Sequence, residues 1–335
     1  MATARLAPVS PQAGEALRGG IDLGGTKIQA AIVTAEGEVI GDSRRPTPSS
    51  GGPADVAEQL AEALREAATA AAVDPVALQG IGVGSPGEAN ELTGEVARAV
   101  NLPNWEGPFA LGPALSEALG VPVRVGNDVD VATKAEFVLG AGRPYGSILG
   151  VFWGTGVGGG LILDGKPWHG RGAAGEIGHV VVEIGGAHCP CGRRGCMEAY
   201  AGRGPMEAKA RHEHASGTKT ELFEIMEKKG RERLSSSVWD RALKQDDQLA
   251  KKLVDRAVKA LGAGVASAVN LLDVEAVIIG GGLGLRLGQP YVERIAAQMS
   301  KHLFLDRRPP AIVLAELGDL GGAIGASLLF DAAPR

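Results

Sequence analysis

Three cysteines are the whole thiol complement of this chain, and all fall within Cys189-Pro190-Cys191-Gly192-Arg193-Arg194-Gly195-Cys196. His179 lies ten residues upstream. One imidazole and three thiolates make a closed tetrahedral zinc set, with no open position for a substrate. The spacing therefore predicts a structural zinc bound by His179, Cys189, Cys191 and Cys196. The glycines permit the tight turns such a knuckle needs. Glu176 precedes His179 by three residues and Glu198 follows Cys196 by two. A metal at the knuckle would hold both carboxylates rigidly, although glutamates at such positions are more often solvated surface groups.

Three glycine clusters suit a different chemistry. Asp22-Leu23-Gly24-Gly25-Thr26-Lys27 sits between two apolar runs with strand character. It is neither a Rossmann fingerprint nor a Walker loop, because no helix follows the glycines. Glycine lets a backbone approach a bulky anion and aim N–H groups at it. Thr26 adds a hydroxyl, and Asp22 could hold magnesium through water. An ordinary hairpin turn would explain this motif taken alone. Gly154-Thr155-Gly156-Val157-Gly158-Gly159-Gly160 has five glycines in seven residues, a backbone entropy cost that a plain hairpin need not carry. Gly280-Gly281-Gly282 follows an apolar run and could receive a flat base. The three together predict a nucleotide cleft.

Val125-Gly126-Asn127-Asp128 joins an apolar run to a helical pattern. Asn127 or Asp128 could cap that helix, or Asp128 could be a general base at a cleft edge; position alone leaves both open. Asn101, in Asn101-Leu102-Pro103-Asn104-Trp105, is of a type that commonly forms turns. Grouped Asn, Asp, Glu and His side chains suit hydroxyl-rich ligands, since each can bridge neighbouring sugar oxygens.

These groups need a scaffold. The pattern predicts a three-stranded meander over 20–40, a helix over 54–72, a strand over 78–83, a helix over 111–119, a strand over 121–125 and a helix from 128 to 139. A second strand, glycine turn and return strand follow over 147–163. After a loop-rich stretch to 196 come charged helical residues over 205–250, a long helix over 249–272 and a strand over 274–279. A helix over 290–305, a strand over 311–314 and a small-residue helix over 320–330 close the chain. Two strand–glycine-turn–strand openings, each followed by helices and strands, predict a duplicated mixed α/β architecture with a cleft between two domains.

Bulk properties exclude several classes. The formal net charge is -5 and no long basic run exists, which argues against a nucleic-acid partner. The first 20 residues lack a signal-peptide apolar core, and no apolar run reaches membrane-spanning length, so the expectation is a cytoplasmic protein with no membrane partner.

The motifs together resemble the ROK family, within the actin-like, ribonuclease H-like ATPase superfamily, over about residues 20–330. Asp22 to Thr26 resembles its first phosphate motif, and Gly154 to Gly160 its second. Glu176-Ile177-Gly178-His179 with the run from Cys189 to Glu198 resembles its zinc and sugar signature. The resemblance implies Asp128 as catalytic base, Asn101, Asn127, Glu176, His179 and Glu198 as sugar ligands, and Gly87 near the sugar. One ring nitrogen of His179 would serve zinc and the other a sugar hydroxyl. It implies an ATP-dependent, magnesium-assisted kinase of glucose or a related hexose, with structural zinc and as a homodimer. Rivals are a kinase for N-acetylglucosamine, N-acetylmannosamine or another hexose, a polyphosphate-using glucokinase, and a non-catalytic sugar sensor. The expected division is a flexible tail over 1–18, a small α/β domain over 19–130 plus 318–333, and a large α/β domain over 131–317 carrying the zinc loop.

Overall fold

The computed structural model describes residues 16–99 and 101–330. Its elements, in chain order, begin with β1 (Arg18–Leu23), β2 (Lys27–Val33), β3 (Val39–Pro46), α1 (Pro53–Ala70), β4 (Ile81–Ser85) and the short hairpin β5 (Glu88–Asn90) and β6 (Glu95–Ala97). Next come α2 (Leu111–Leu119), β7 (Val123–Asn127), α3 (Asp128–Leu139), β8 (Ile148–Trp153), β9 (Val157–Leu163) and β10 (Lys166–Pro167). Then follow α4 (Glu198–Ala201), α5 (Arg203–Ala215), α6 (Leu222–Lys228), α7 (Ser236–Lys244) and α8 (Gln248–Leu272). The chain continues with β11 (Ala276–Gly280), α9 (Gly281–Leu287), α10 (Gln289–Met299), β12 (Ala311–Leu314) and α11 (Gly321–Ser327). Two units result. The first joins residues up to Gly140 with those from Asp319 onward, and the second is Ala141–Gly318.

The first unit is built on a sheet of order β3-β2-β1-β4-β7. Its meander is antiparallel, and β4 and β7 add in parallel. Adjacent residues of β1 point to opposite faces, as pleating requires. A Cβ on Gly19 would meet Leu64 of α1, whereas one on Gly20 would lie 1.9 Å from the carbonyl oxygen of Ala323 in α11. One face is therefore covered by α1 and the other by α11. Gly82 of β4 makes the same concession, 1.7 Å from Ala326 O. The main core, with Ile21, Leu23, Ile28, Leu60, Leu64 and Leu111, lies on the α1 side.

The second unit repeats that topology, with order β10-β9-β8-β11-β12, β8–β9–β10 antiparallel and β11 and β12 parallel to β8. The duplication expected from the two glycine openings is thus present in the strand order. The long α8 buries Leu249, Leu253, Ala257, Leu261 and Val265 along one face, at the four-residue spacing of a helical stripe. Gly262 of α8 lets α10 approach closely; a Cβ there would lie 2.4 Å from Gln298 Cβ.

Three expectations need correction. Residues 17 and 18 are not tail: Leu17 is buried in the core, and Arg18 opens β1 with its guanidinium donating to the carbonyls of Thr34 and Ala35. Residues 1–15 and 331–333 lie outside the described residues. The units part after Gly140, not after Asp130, because α3 continues to Leu139 and packs on α11, where a Cβ on Gly325 would sit 2.1 Å from Val131 O. The second glycine run is not all turn. Only Gly154, Thr155 and Gly156 connect the strands, and Gly158 to Gly160 belong to β9. Among the described residues, no helix is long and apolar enough to cross a membrane.

Candidate phosphoryl-transfer site

Each unit carries a tight turn between its first two strands, and the two turns are wired alike. In the first, Gly24 N–H donates to Lys27 O. The carbonyls of Gly24 and Thr26 are tied back by the hydroxyl and the N–H of Thr47. In the second, Gly154 N–H donates to Gly156 O, and the N–H groups of Arg203 and Gly204 bind the carbonyls of Gly154 and Thr155. Acceptors are thereby turned away from the tip. Among the described residues, the N–H groups of Gly25, Thr26, Thr155 and Gly156 find no acceptor. A turn with spent carbonyls and unspent amides is an anion cradle.

The C-terminal ends of the parallel strands in the first unit gather its polar groups. Asp22 of β1 pairs with Gly84 of β4, and Ser85 pairs with Asn127 of β7. The capping question resolves in favour of Asn127, whose Oδ1 accepts from Val129 N at 3.0 Å and Asp130 N at 3.3 Å. Asp128 is the first residue of α3; one carboxylate oxygen takes Val129 N–H at 2.9 Å, leaving the other. Burial, and after it the nearby Asp22 carboxylate, push Asp128 up to about 7, against the Val129 N–H that favours the anion. Asp22 is pushed up to about 6 by burial, with Lys27 opposing and Asp319 adding. Lys27 pairs with Asp319 at 3.6 Å. Asn101 lies against the first turn: a Cβ on Gly25 would be 3.1 Å from its Cβ. Gly87, at φ +87°, packs on the Ala97 carbonyl, and its own carbonyl faces Asn127 Nδ2 at 3.5 Å.

In the second unit the β9 glycines have a separate task. A Cβ on Gly175 would lie 2.7 Å from Gly159 O, and one on Gly178 would lie 2.0 Å from Val157 O. Missing side chains thus seat the loop 175–179 on the strand, with Glu176 exposed and His179 half-buried. Glu198 opens α4, and its Oε2 accepts Val157 N–H at 2.9 Å, beside the turn. Gly280 and Gly281 fit against β8, where Cβ atoms would meet the Phe152 ring at 2.8 Å and the Trp153 backbone at 2.6 Å. Only Gly282 of that trio is exposed.

The ligand atoms of His179, Cys189, Cys191 and Cys196 lie within 4.8 Å of one another. His179 Nδ1 is 3.7 Å from Cys189 Sγ, and Cys191 Sγ is 3.7 Å from Cys196 Sγ. These spacings fit four ligands around one small tetrahedral ion. The other ring nitrogen, Nε2, sits 3.8 Å from Glu176 Oε2. Burial resists ionisation of Cys191, but the Arg193 N–H and the other two thiols outweigh it and hold that thiol at about 7. Burial raises Cys189 and Cys196.

The ROK family model matches residues 18–333. The chain belongs to the ROK family. Its relatives include the glucokinase of Halalkalibacterium halodurans, 33% identical over 313 residues that span 92% of this chain and 93% of that one. The N-acetylmannosamine kinase of Yersinia pseudotuberculosis is 35% identical over 282 residues, 83% and 86% of the two chains. The crystal structure of a ROK family glucokinase from Streptomyces griseus, in complex with glucose and AMPPNP, aligns with a TM-score of 0.81 and 29% identity, covering 93% of this chain and 98% of that one. The doubled five-stranded topology is accordingly the actin-like ATPase fold of ROK kinases.

Read by unit, the ROK chain brings Asp22, Lys27, Asn101, Asn127 and Asp128 to one sheet edge of the first. It brings Glu198, His179 and the knuckle to the second turn of the second. Three contributors escaped sequence reading. Thr47 and Arg203 lie far from the turns they hold, and Asp319 reaches Lys27 from the far end of the chain. No local pattern announces them; Arg203 in a Gly-Arg-Gly step after the knuckle is the one signal available.

Proposed function

We propose that this ROK protein is a sugar kinase that transfers the γ-phosphoryl group of ATP to the 6-hydroxyl of glucose or a close hexose relative, with Asp128 as general base. The observation that carries this is the state of Asp128. Asn127 caps the helix, so Asp128 is left beside Asp22 with a carboxyl pushed up to about 7, suited to taking a proton near neutrality. The sugar would be held by Asn101, Asn127, Glu176, His179 and Glu198, with Gly87 beside it. The phosphates would meet the turn Gly24-Gly25-Thr26, with Lys27, through the amides of Gly25 and Thr26, and the turn Gly154-Thr155-Gly156 through those of Thr155 and Gly156. The base would lie near Gly280, Gly281 and Gly282.

Phosphoryl transfer has a loose transition state, so positioning and charge stabilisation do most of the work, and the proton can leave late. Magnesium, when bound, neutralises phosphate charge. Asp22 is the residue to hold it through water: its carboxylate accepts no hydrogen bond from any described residue, and glycine at 322 leaves room beside it. The four-ligand knuckle fits structural zinc, which would fix Glu198 and leave His179 Nε2 for a sugar hydroxyl.

Kinases of N-acetylated hexoses are a second reading, favoured by the N-acetylmannosamine kinase relative. An ADP-release assay across a hexose panel, with ATP or polyphosphate as donor, tests both. Glucose should give the highest kcat/KM with ATP; a preference for N-acetylated sugars would replace glucose as substrate, and no turnover with any sugar would overturn the kinase reading.

A further inference from the structure

Arg203 is the first residue of α5 and reaches the second turn with one arm of its fork and the start of α7 with the other. Nη2 donates to Thr155 Oγ1 at 2.8 Å and Nη1 to Ser236 Oγ at 2.9 Å. A hydroxyl has one proton and two lone pairs. Once each oxygen accepts from the guanidinium, its proton is free to be given elsewhere. Among the described residues, neither hydroxyl donates to a protein acceptor. Ser236 Oγ lies near Gly282, where a Cβ would be 3.7 Å from it, and the second turn approaches the same glycine, since a Cβ on Gly154 would be 3.9 Å from Gly282 N.

Arg203 also makes no ion pair among the described residues. It is half-buried, and no described carboxylate pairs with it. The nearest candidate, Glu207, is engaged elsewhere, with Oε1 on Arg211 and Oε2 on Leu234 N–H and Arg233. Burial, then the charge of Arg233, lower the Arg203 pKa, with Glu207 opposing in smaller measure. A cation kept partly out of water without a counter-ion is costly unless an anion arrives. An unpaired guanidinium behind two outward-donating hydroxyls, next to two unspent turn amides, is built for an oxyanion chain.

We propose that Arg203 is a positioning residue for the phosphoryl donor, holding the hydroxyls of Thr155 and Ser236 as paired donors to its phosphate oxygens. Ser236 is thereby a donor-site residue in its own right. The inference rests on the reading of this protein as a kinase that uses a nucleotide triphosphate.

Steady-state kinetics on full-length Arg203→Met, Arg203→Lys, Ser236→Ala and the double variant Arg203→Met/Thr155→Val tests it, with calorimetric titration of ATP and ADP alongside. Arg203→Met should raise KM for ATP by about 10-fold or more, as loss of charge-assisted hydrogen bonds implies. KM for the sugar should stay within about 2-fold, because the changed contacts are to the donor turn. Arg203→Lys should recover part of the loss, and the double variant should bind ATP little worse than Arg203→Met alone, since one effect runs through the other. Should Arg203→Met not fold, Arg203→Lys and Ser236→Ala carry the same expectation in milder form. Unchanged ATP affinity, equal weakening of ATP and sugar, or strict additivity in the double variant would each overturn the proposal. ATP binding without turnover by the wild-type protein would sink the kinase reading while calorimetry still decides the role of Arg203. A wild-type protein that binds neither ATP nor ADP would overturn both.

Discussion

Glu198 and Val157 are 41 positions apart, yet the carboxylate of one accepts the backbone N–H of the other at 2.9 Å. Cys189 Sγ approaches the second carboxylate oxygen of Glu198 at 3.8 Å. One side chain therefore links the cysteine knuckle to the strand that leaves the second turn. Whatever holds the knuckle also steadies that turn.

Removing a metal ligand should accordingly disturb two substrates. Elemental analysis of wild-type protein should find one zinc per chain, and Cys191→Ser should find much less. KM for sugar should rise most, because Glu176 and His179 sit on the loosened loop. KM for ATP should rise by a smaller factor through Glu198 and Val157. Glu198→Gln, which keeps the shape, should reproduce part of both effects with zinc retained. Wild-type protein free of zinc, or a zinc-free variant with unchanged kinetics, would sever this link.

Asp128 and Asn127 should separate cleanly. Asp128→Asn should lower kcat by roughly 10²–10⁴-fold without lowering the melting temperature, because the cap is not its task. Asn127→Ala should cost about 1 kcal/mol of stability through the lost cap, measurable by denaturant unfolding. An Asp128→Asn variant retaining more than about a tenth of wild-type turnover would remove it from the base role.

The pH dependence follows from the same carboxyl. A base must be ionised, so kcat/KM for sugar should climb as pH rises towards about 7 and level off above it. Stability should move the other way. The folded carboxyl holds its proton more tightly than the unfolded one, whose value is near 3.8. The contribution of this carboxyl to unfolding free energy is therefore greatest below that value and declines as pH rises through the folded value. Asp22, raised to about 6, adds to the decline. Urea titrations of wild type and Asp128→Asn across this range should show a shallower slope for the variant.

Thr26→Val deletes a hydroxyl at the first turn while keeping its shape. It should weaken ATP by about 1.5–3 kcal/mol and sugar much less, read as separate KM values. Equal weakening would assign the turn to the wrong ligand.

Gly82→Ala tests the closeness of α11. A Cβ placed 1.7 Å from Ala326 O forces the helix off the sheet, and overpacking of this kind costs about 1–3 kcal/mol. The loss should appear in chemical denaturation; a neutral substitution would mean that helix and strand are not held together there.

Local signals carried most of the architecture. Periodicity located α2 over 111–119 and β12 over 311–314 with the bounds the structure has, and the grouping of His179 with Cys189, Cys191 and Cys196 was legible from spacing alone. What spacing could not reveal was which partner each glycine serves. Gly159 resembles a phosphate-turn glycine in the sequence, but its task is to admit the loop at Gly175, sixteen residues on. The β5–β6 hairpin went unread because its three-residue strands carry no period. The bonds of Arg203 and Thr47 to the turns were invisible for the same reason that the bond between Glu198 and Val157 was: side-chain bonds across tens of residues leave no mark on a local pattern.

The seating of α11 on Gly20 and Gly82 also has a consequence for biosynthesis. A ribosome reads β1 among the first described residues and α11 among the last. While the chain emerges, the nascent sheet β3-β2-β1-β4-β7 waits with one face covered only in part, by α3 against Gly84 and Gly126, whereas every described strand and helix of Ala141–Gly318 has already been made. The second unit can therefore mature first, and the first is completed only once α11 has been added. A premature stop shortly before Gly321 would release a polypeptide with a finished C-terminal body and an N-terminal one still exposing its sheet to chaperones and proteases.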